Sequence, residues 1–294
     1  MNARASRHGT LPGAAGNRIA WEAFDGGAPL SVVLSHGGGQ TRHAWRRAAL
    51  RLQDLGVACL TFDKRGHGES DWSAAGEYGL HDFKADFDRI LAHWNRPCVL
   101  VGASLGGIVS LMSAADAPPC VRGLVMVDTA PELNPAELAR LVEFLGGDGA
   151  LGFESPDAAA RHVRRYFPER EVSAEAVASG LAQSADRRWH WRWDVRVVLG
   201  SRNSIALPHE AELHACARAV RVPFLLIRAG RSRLVTDAAV GRLRECAPQL
   251  EVLGLEDADH IVGGADAARV ADLIGPFLAR CAGAPLRAAP VCSR

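Results

Sequence analysis

The sequence predicts an α/β fold: a mostly parallel sheet of the eight-stranded type, flanked by helices and interrupted by a helical cap. Short apolar, β-branched runs alternate with helical patterns along most of the 294 residues, and the alternation stops between residues 131 and 217. Two glycine-rich turns directly follow runs that read as buried strands. Such alternation calls for parallel strands joined by crossover helices, and strands covered on both faces read as continuous apolar runs.

In chain order, residues 19–24 are expected to add an antiparallel edge strand at the start. The runs 31–34, 57–62, 98–101, 124–127, 223–227 and 250–253 are too short and too β-branched for good helices and predict buried strands. Between them, helical patterns cover 44–55, 81–94, 105–115, 237–246 and 265–278. Residues 131–217 carry only helical pattern and aromatic residues, among them Phe144, Phe153, Tyr166, Phe167, Trp189, Trp191 and Trp193. They predict a helical lid or cap over the carboxyl edge of the sheet. The core is then 16–130 and 218–282, with a flexible N-terminus over 1–15 and a flexible Ala/Pro/Arg-rich tail over 283–294.

Net charge is +1 and the arginines are scattered rather than gathered in a stripe, so neither nucleic acid nor an anionic membrane is indicated as a partner. The seven cysteines have no metal-ligand spacing; their odd count and wide separation suit free thiols in a reducing compartment. No N-terminal apolar segment and no run of roughly 18 apolar residues is found, so a cytoplasmic location is expected, without a membrane span. No metal and no cofactor are expected. The expected partner is a small-molecule substrate, and a monomer and a homodimer both remain open.

The chemistry-bearing signal is Gly102-Ala103-Ser104-Leu105-Gly106-Gly107, between a predicted strand and a predicted helix. That context turns a common G-x-S-x-G pattern into a nucleophile turn, in which the serine is held in a strained conformation and the Leu105 N–H faces the reacting carbonyl from the helix start. The same residues would also serve as a plain helix-capping turn. Ser35-His36-Gly37-Gly38-Gly39-Gln40 follows another strand and exposes backbone amides; the Gly38 N–H is assigned with that of Leu105 to an oxyanion hole. A phosphate loop is the rival use, but no Lys-Ser/Thr follows the glycines. His36 reads as structural. So does His67, which lies in the turn Asp63-Lys64-Arg65-Gly66-His67-Gly68-Glu69-Ser70. Of the eleven histidines, His260 in Asp257-Ala258-Asp259-His260 alone follows the last strand and precedes a helix, and is the candidate base.

Taken together and in this order, these segments resemble the α/β-hydrolase superfamily, in its esterase, lactonase and dehalogenase-like branch with a helical cap, over residues 17–280. The resemblance implies a triad acid in a G-x-x-D pattern before the last strand, where this chain has Arg233. An arginine there disfavours a histidinium. Two carboxylates offer substitutes: Asp128, at the end of the strand after the nucleophile helix, which is preferred, and Asp237, four residues past Arg233. A Ser–His pair without an acid is the third reading. The resemblance implies acyl transfer to water from an ester or lactone. Carbon–carbon bond hydrolysis, perhydrolysis and a non-catalytic ligand-binding role are the alternatives. Trp189, Trp191 and Trp193 are candidate substrate contacts, or else the cap's own packing.

Overall fold

The computed structural model describes residues 6–169, 172–200 and 209–283; of the expected tail over 283–294, all but Gly283 lies outside the described residues. The chain opens with β1 (Ser6–Pro12), β2 (Arg18–Phe24) and β3 (Ser31–Ser35), followed by α1 (Arg46–Asp54), β4 (Ala58–Phe62) and α2 (Leu80–Trp94). Then come β5 (Cys98–Ala103), α3 (Leu105–Ala115) and β6 (Val121–Val127). The cap segment holds α4 (Pro135–Gly146), α5 (Pro156–Tyr166), α6 (Ala174–Ala178), β7 (Leu181–Gln183), β8 (Trp189–Trp191) and α7 (Arg196–Leu199). The chain returns through α8 (Glu210–Ala219), β9 (Phe224–Ala229), α9 (Asp237–Cys246), β10 (Leu250–Leu255) and α10 (Ala265–Ala282).

Eight strands form one sheet in the order β1-β2-β4-β3-β5-β6-β9-β10. The first two pairings, β1 with β2 and β2 with β4, are antiparallel and the rest are parallel. Every residue of β3, β4 and β5 is buried, as expected of strands with helices on both faces. One apolar core lies against α1 and α10, with Trp45, Leu52 and Phe277. The other lies against α2, α3, α8 and α9 and continues into the cap through Phe144, Trp191 and Trp193.

Three expectations are corrected. Residues 6–12 are not part of a flexible N-terminus: they pair with β2 along its whole length, and β2 is therefore an interior strand rather than the edge. The buried Asp86 also accepts from Ala14 N at 2.8 Å and from the Asn17 amide at 3.3 Å, tying down the turn that follows. An edge strand needs little apolar surface, and β1 buries only Leu11, so its sequence carries no strand pattern. Third, the cap is not wholly helical, because Leu181–Gln183 and Trp189–Trp191 pair as an antiparallel hairpin.

The cap helices begin where their sequence stops extended chain. Asn134 accepts from Ala136 N at 3.0 Å ahead of Pro135, and Ser155 accepts from Ala158 N at 3.2 Å ahead of Pro156. A side-chain oxygen at the N-cap satisfies an orphan amide, and proline at the first helical position has no amide to satisfy.

Candidate active site

In a parallel sheet the strand ends converge on one edge, and the site is built there. Ala103 is the last paired residue of β5 and faces Val127, the last of β6, which in turn faces Ile227 of β9. Ser104 and Asp128 are each one residue beyond those ends. Ser104 has φ 49° and ψ −122°, a conformation that side chains adopt only when the surroundings enforce it. Its own N–H donates to Val127 O at 3.1 Å, while Gly107 N and Ile108 N donate back to Ser104 O at 2.8 and 3.1 Å, so strand and helix are locked around it.

That turn needs a glycine at 106. A Cβ there would run into the Ser35 carbonyl oxygen and come within 2.6 Å of His36 O, both backbone atoms at the end of β3. Gly106→Ala is expected to lower unfolding stability by about 3 kcal/mol or more, the upper range for overpacking, read as a fall in the urea midpoint at unchanged m-value. A midpoint equal to that of the wild type would show that the β3–α3 contact is looser than these distances.

His260 follows β10 and lies with its Nε2 3.1 Å from Ser104 Oγ and its Nδ1 2.8 Å from Asp128 Oδ2. The second carboxylate oxygen of Asp128 accepts the Ala229 N–H at 3.1 Å, and Asp128 is 1% exposed. Asp237, the alternative acid, is brought nowhere near: its side chain is 93% exposed and pairs with Arg228 at 2.6 Å in the first turn of α9. Arg233 is exposed and lines a separate cleft of about 510 Å³ on the other side of His260, with Arg140, Arg231, Glu137, Glu169 and Asp259.

Gly37 N–H is taken by Gln40 Oε1 at 2.9 Å and Gly39 N–H by His67 Nε2 at 3.2 Å. The Gly38 N–H donates to no group among the described residues. Leu105 opens α3, where the first amides have no intrahelical acceptor. Gln40 was not singled out by the sequence, yet its amide also donates to Val262 O at 2.9 Å, linking this loop to the one that carries His260. No local pattern signals that link, since its ends are 222 residues apart.

His36 and His67 lie beneath the loop, fully buried. His36 Nε2 accepts from Lys64 N at 3.1 Å and its Nδ1 faces Gly37 O at 2.7 Å; His67 Nδ1 faces Arg65 O at 3.0 Å. Each ring therefore donates with one nitrogen and accepts with the other, the neutral form. Burial, with the Lys64 ammonium nearby, pushes His36 well below the ordinary histidine range and His67 down to about 3. In the unfolded chain both titrate near 6.5. As pH falls below that value the unfolded state binds protons that the folded state refuses, so stability is lost between pH 6.5 and about 3. The slope approaches about 1.4 kcal/mol per pH unit for each histidine. Burial lowers Lys64 too, which acts in the same direction wherever it titrates. Urea midpoints between pH 7.5 and 4 should show this slope, shallower in His67→Gln; a flat profile would mean that the rings protonate in place.

Above Ser104 and His260 opens a cavity of about 800 Å³, walled mainly by apolar side chains from α4, the cap hairpin and α3, including Leu141, Leu145, Trp191, Trp193 and Ile108. Trp191 and Trp193 stack with ring centroids 4.7 Å apart and planes 11° apart. Trp189 does not line this cavity: it sits two residues before Trp191, at the start of β8, where its backbone exchanges 2.7 Å hydrogen bonds with Phe153. Among the described residues, no group of three or more His, Cys, Asp or Glu side chains is disposed to hold a metal ion, and no helix is long and apolar enough to cross a membrane.

Compared with known proteins, residues 31–263 match the model of a family described as the alpha/beta hydrolase fold. The esterase Rv0045c of Mycobacterium tuberculosis is 30% identical over 233 residues, 76% of this chain and 73% of that protein. The 2-(acetamidomethylene)succinate hydrolase of Mesorhizobium japonicum is 27% identical over 238 residues, 81% of this chain and 83% of that protein. A crystal structure of E-2-(acetamidomethylene)succinate hydrolase superimposes with a TM-score of 0.79 at 24% identity, covering 93% of this chain and 99% of that one, a likeness of fold.

Proposed function

The chain belongs to the α/β-hydrolase family and is a hydrolase, and from that premise we propose that it cleaves a carboxylic ester or lactone of a small, mostly apolar molecule through an acyl-enzyme on Ser104. The observation that carries this reading is the unbroken chain Ser104 Oγ–His260 Nε2 at 3.1 Å and His260 Nδ1–Asp128 Oδ2 at 2.8 Å, on the floor of an apolar cavity.

His260 accepts the Ser104 proton as Oγ attacks the carbonyl carbon, and the developing oxyanion is received by the Gly38 and Leu105 amides. Asp128 holds the imidazole with Nδ1 protonated, so that Nε2 is free to accept, and stabilises the imidazolium that forms. His260 then protonates the leaving alcohol. Water, activated by the same imidazole, releases the acid and restores Ser104. The Ala229 N–H steadies the carboxylate at the oxygen that His260 does not use. The apolar wall formed by Leu141, Leu145, Trp191 and Trp193 suits an apolar acyl or alcohol group.

The test is a screen of short-chain p-nitrophenyl esters, lactones and vinylogous diketones, together with labelling by a fluorophosphonate probe. Wild-type protein is expected to turn over esters or lactones and to take the label, with Ser104→Ala as the control. Absence of both labelling and ester turnover sinks the reading, and turnover of diketones alone would replace it with carbon–carbon bond hydrolysis.

A further inference from the structure

Beside the proposed oxyanion hole, one buried residue meets the glycine loop through its side chain and the cap through its backbone, without touching any reacting atom. We propose that His67 is a positioning residue of the reaction: its imidazole holds the glycine loop through the Gly39 N–H while its backbone is paired with the cap at Trp193, so that the seating of the cap sets the aim of the Gly38 N–H. For its catalytic consequence this rests on the acyl-transfer reading above; the tie itself does not.

The geometry is continuous. His67 Nε2 accepts the Gly39 N–H at 3.2 Å, and its Nδ1 donates to Arg65 O at 3.0 Å, so both ring nitrogens are committed and the ring cannot turn without breaking a bond. It is fully buried, edge-on to the His36 ring at 5.1 Å. Burial keeps the imidazole neutral, hence able to accept, down to a pH of about 3.

On the cap side, residues 66–68 and 192–194 form a short antiparallel bridge between His67 and Trp193. Gly68 N–H donates to Arg192 O at 2.6 Å and Asp194 N–H to Gly66 O at 2.8 Å. The Asp194 carboxylate is anchored in turn by the Tyr78 hydroxyl at 2.7 Å and by Arg196. Trp193 walls the substrate cavity, and its ring also roofs Gly39: a Cβ on that glycine, whose φ is +72°, would lie 3.3 Å from the indole. The same cap residue thus meets substrate, the His67 backbone and the loop that donates to the oxyanion. The amides of Gly37 and Gly39 are pinned on either side, while the Gly38 N–H between them donates to no group among the described residues. A misplacement of about 1 Å in such a donor costs up to roughly 100-fold in rate.

Two conservative variants separate positioning from packing. A glutamine amide reaches as far from Cα as Nε2, so His67→Gln keeps an acceptor for Gly39. An asparagine amide reaches only as far as Nδ1, so His67→Asn keeps the Arg65 contact and loses Gly39. On an ester that the wild type hydrolyses, H67N is expected to lower kcat by about 10- to 100-fold with KM within about twofold, and H67Q by less than about threefold. Hydrogen exchange of peptides covering residues 36–41 and 189–195 should quicken together in H67N and not in H67Q. If H67N fails to fold, His67→Phe, which keeps the ring volume without an acceptor, takes its place.

Equal kcat in the two variants, or kcat values that merely follow their unfolding midpoints, would overturn the positioning role. In unmutated protein, a two-bond nitrogen–nitrogen coupling across the Gly39–His67 hydrogen bond is expected by NMR, and its absence would overturn the tie. A wild type without turnover counts against the acyl-transfer reading, whereas the exchange and coupling measurements still decide whether His67 joins loop to cap.

Discussion

Ser104→Ala is expected to reduce kcat on a responsive ester by about five to six orders of magnitude while leaving the fold intact, a loss of the size seen when a serine hydrolase loses its nucleophile. The substitution removes one oxygen, whose hydrogen bond to His260 Nε2 spans 3.1 Å, and leaves the Cβ in place. The strained backbone at φ 49° is held by its own hydrogen bonds to Val127, Gly107 and Ile108, none of which involves the side chain. The unfolding free energy from urea titration should therefore stay within about 0.5 kcal/mol of the wild type, the usual range for changes that touch no packing. What rate survives is expected to come from substrate binding and the proposed oxyanion hole of the Gly38 and Leu105 amides. Steady-state kinetics on a p-nitrophenyl ester and probe labelling read both effects. A variant that keeps more than a hundredth of the wild-type rate would mean that the acyl group is carried elsewhere.

The second large effect is at the acid. Asp128→Asn should lower kcat by about 10⁴-fold, whereas Asp237→Asn should stay within about twofold of the wild type. The reason lies in the partner of the other oxygen. Ala229 N–H donates to Asp128 Oδ1 at 3.1 Å, so an asparagine there is compelled to present its carbonyl to Ala229 and its NH₂ to His260. An NH₂ facing Nδ1 forces that nitrogen to be the acceptor and places the proton on Nε2. In that tautomer the imidazole cannot take the Ser104 proton. Asp237 makes no contact with His260; its bond is to Arg228 at 2.6 Å, on an exposed surface. A collapse of the Asp237 variant with the Asp128 variant still active would reverse the assignment.

Much of this was legible locally. The helices 105–115 and 237–246 were bounded correctly by their patterns, and the interior strands of the sheet were placed within a few residues, because a strand buried on both faces must be apolar throughout. Where the requirement is weaker, the signal fails. β1 lies at the sheet edge and buries only Leu11, so its alternation is too faint to read. The cap hairpin carries its tryptophans on strands of three residues, shorter than any periodicity can resolve. Gln40 was not singled out, and His67 was read only as a structural turn residue, for another reason: each makes a hydrogen bond to a segment remote in the chain.

Ser104 itself is the clearest division between the two kinds of information. A strand, a tight glycine-flanked turn and a helix are contiguous in the chain, so the sequence by itself determined the turn and the residue at its apex. Its neighbours are not contiguous. That Asp128 rather than Asp237 or Arg233 lies beside His260 follows from β6 lying next to β5 and β9, and from the Ala229 amide that fixes the carboxylate. Strand adjacency and the bonds that cross it arise from packing the whole sheet, and only the tertiary structure decided them.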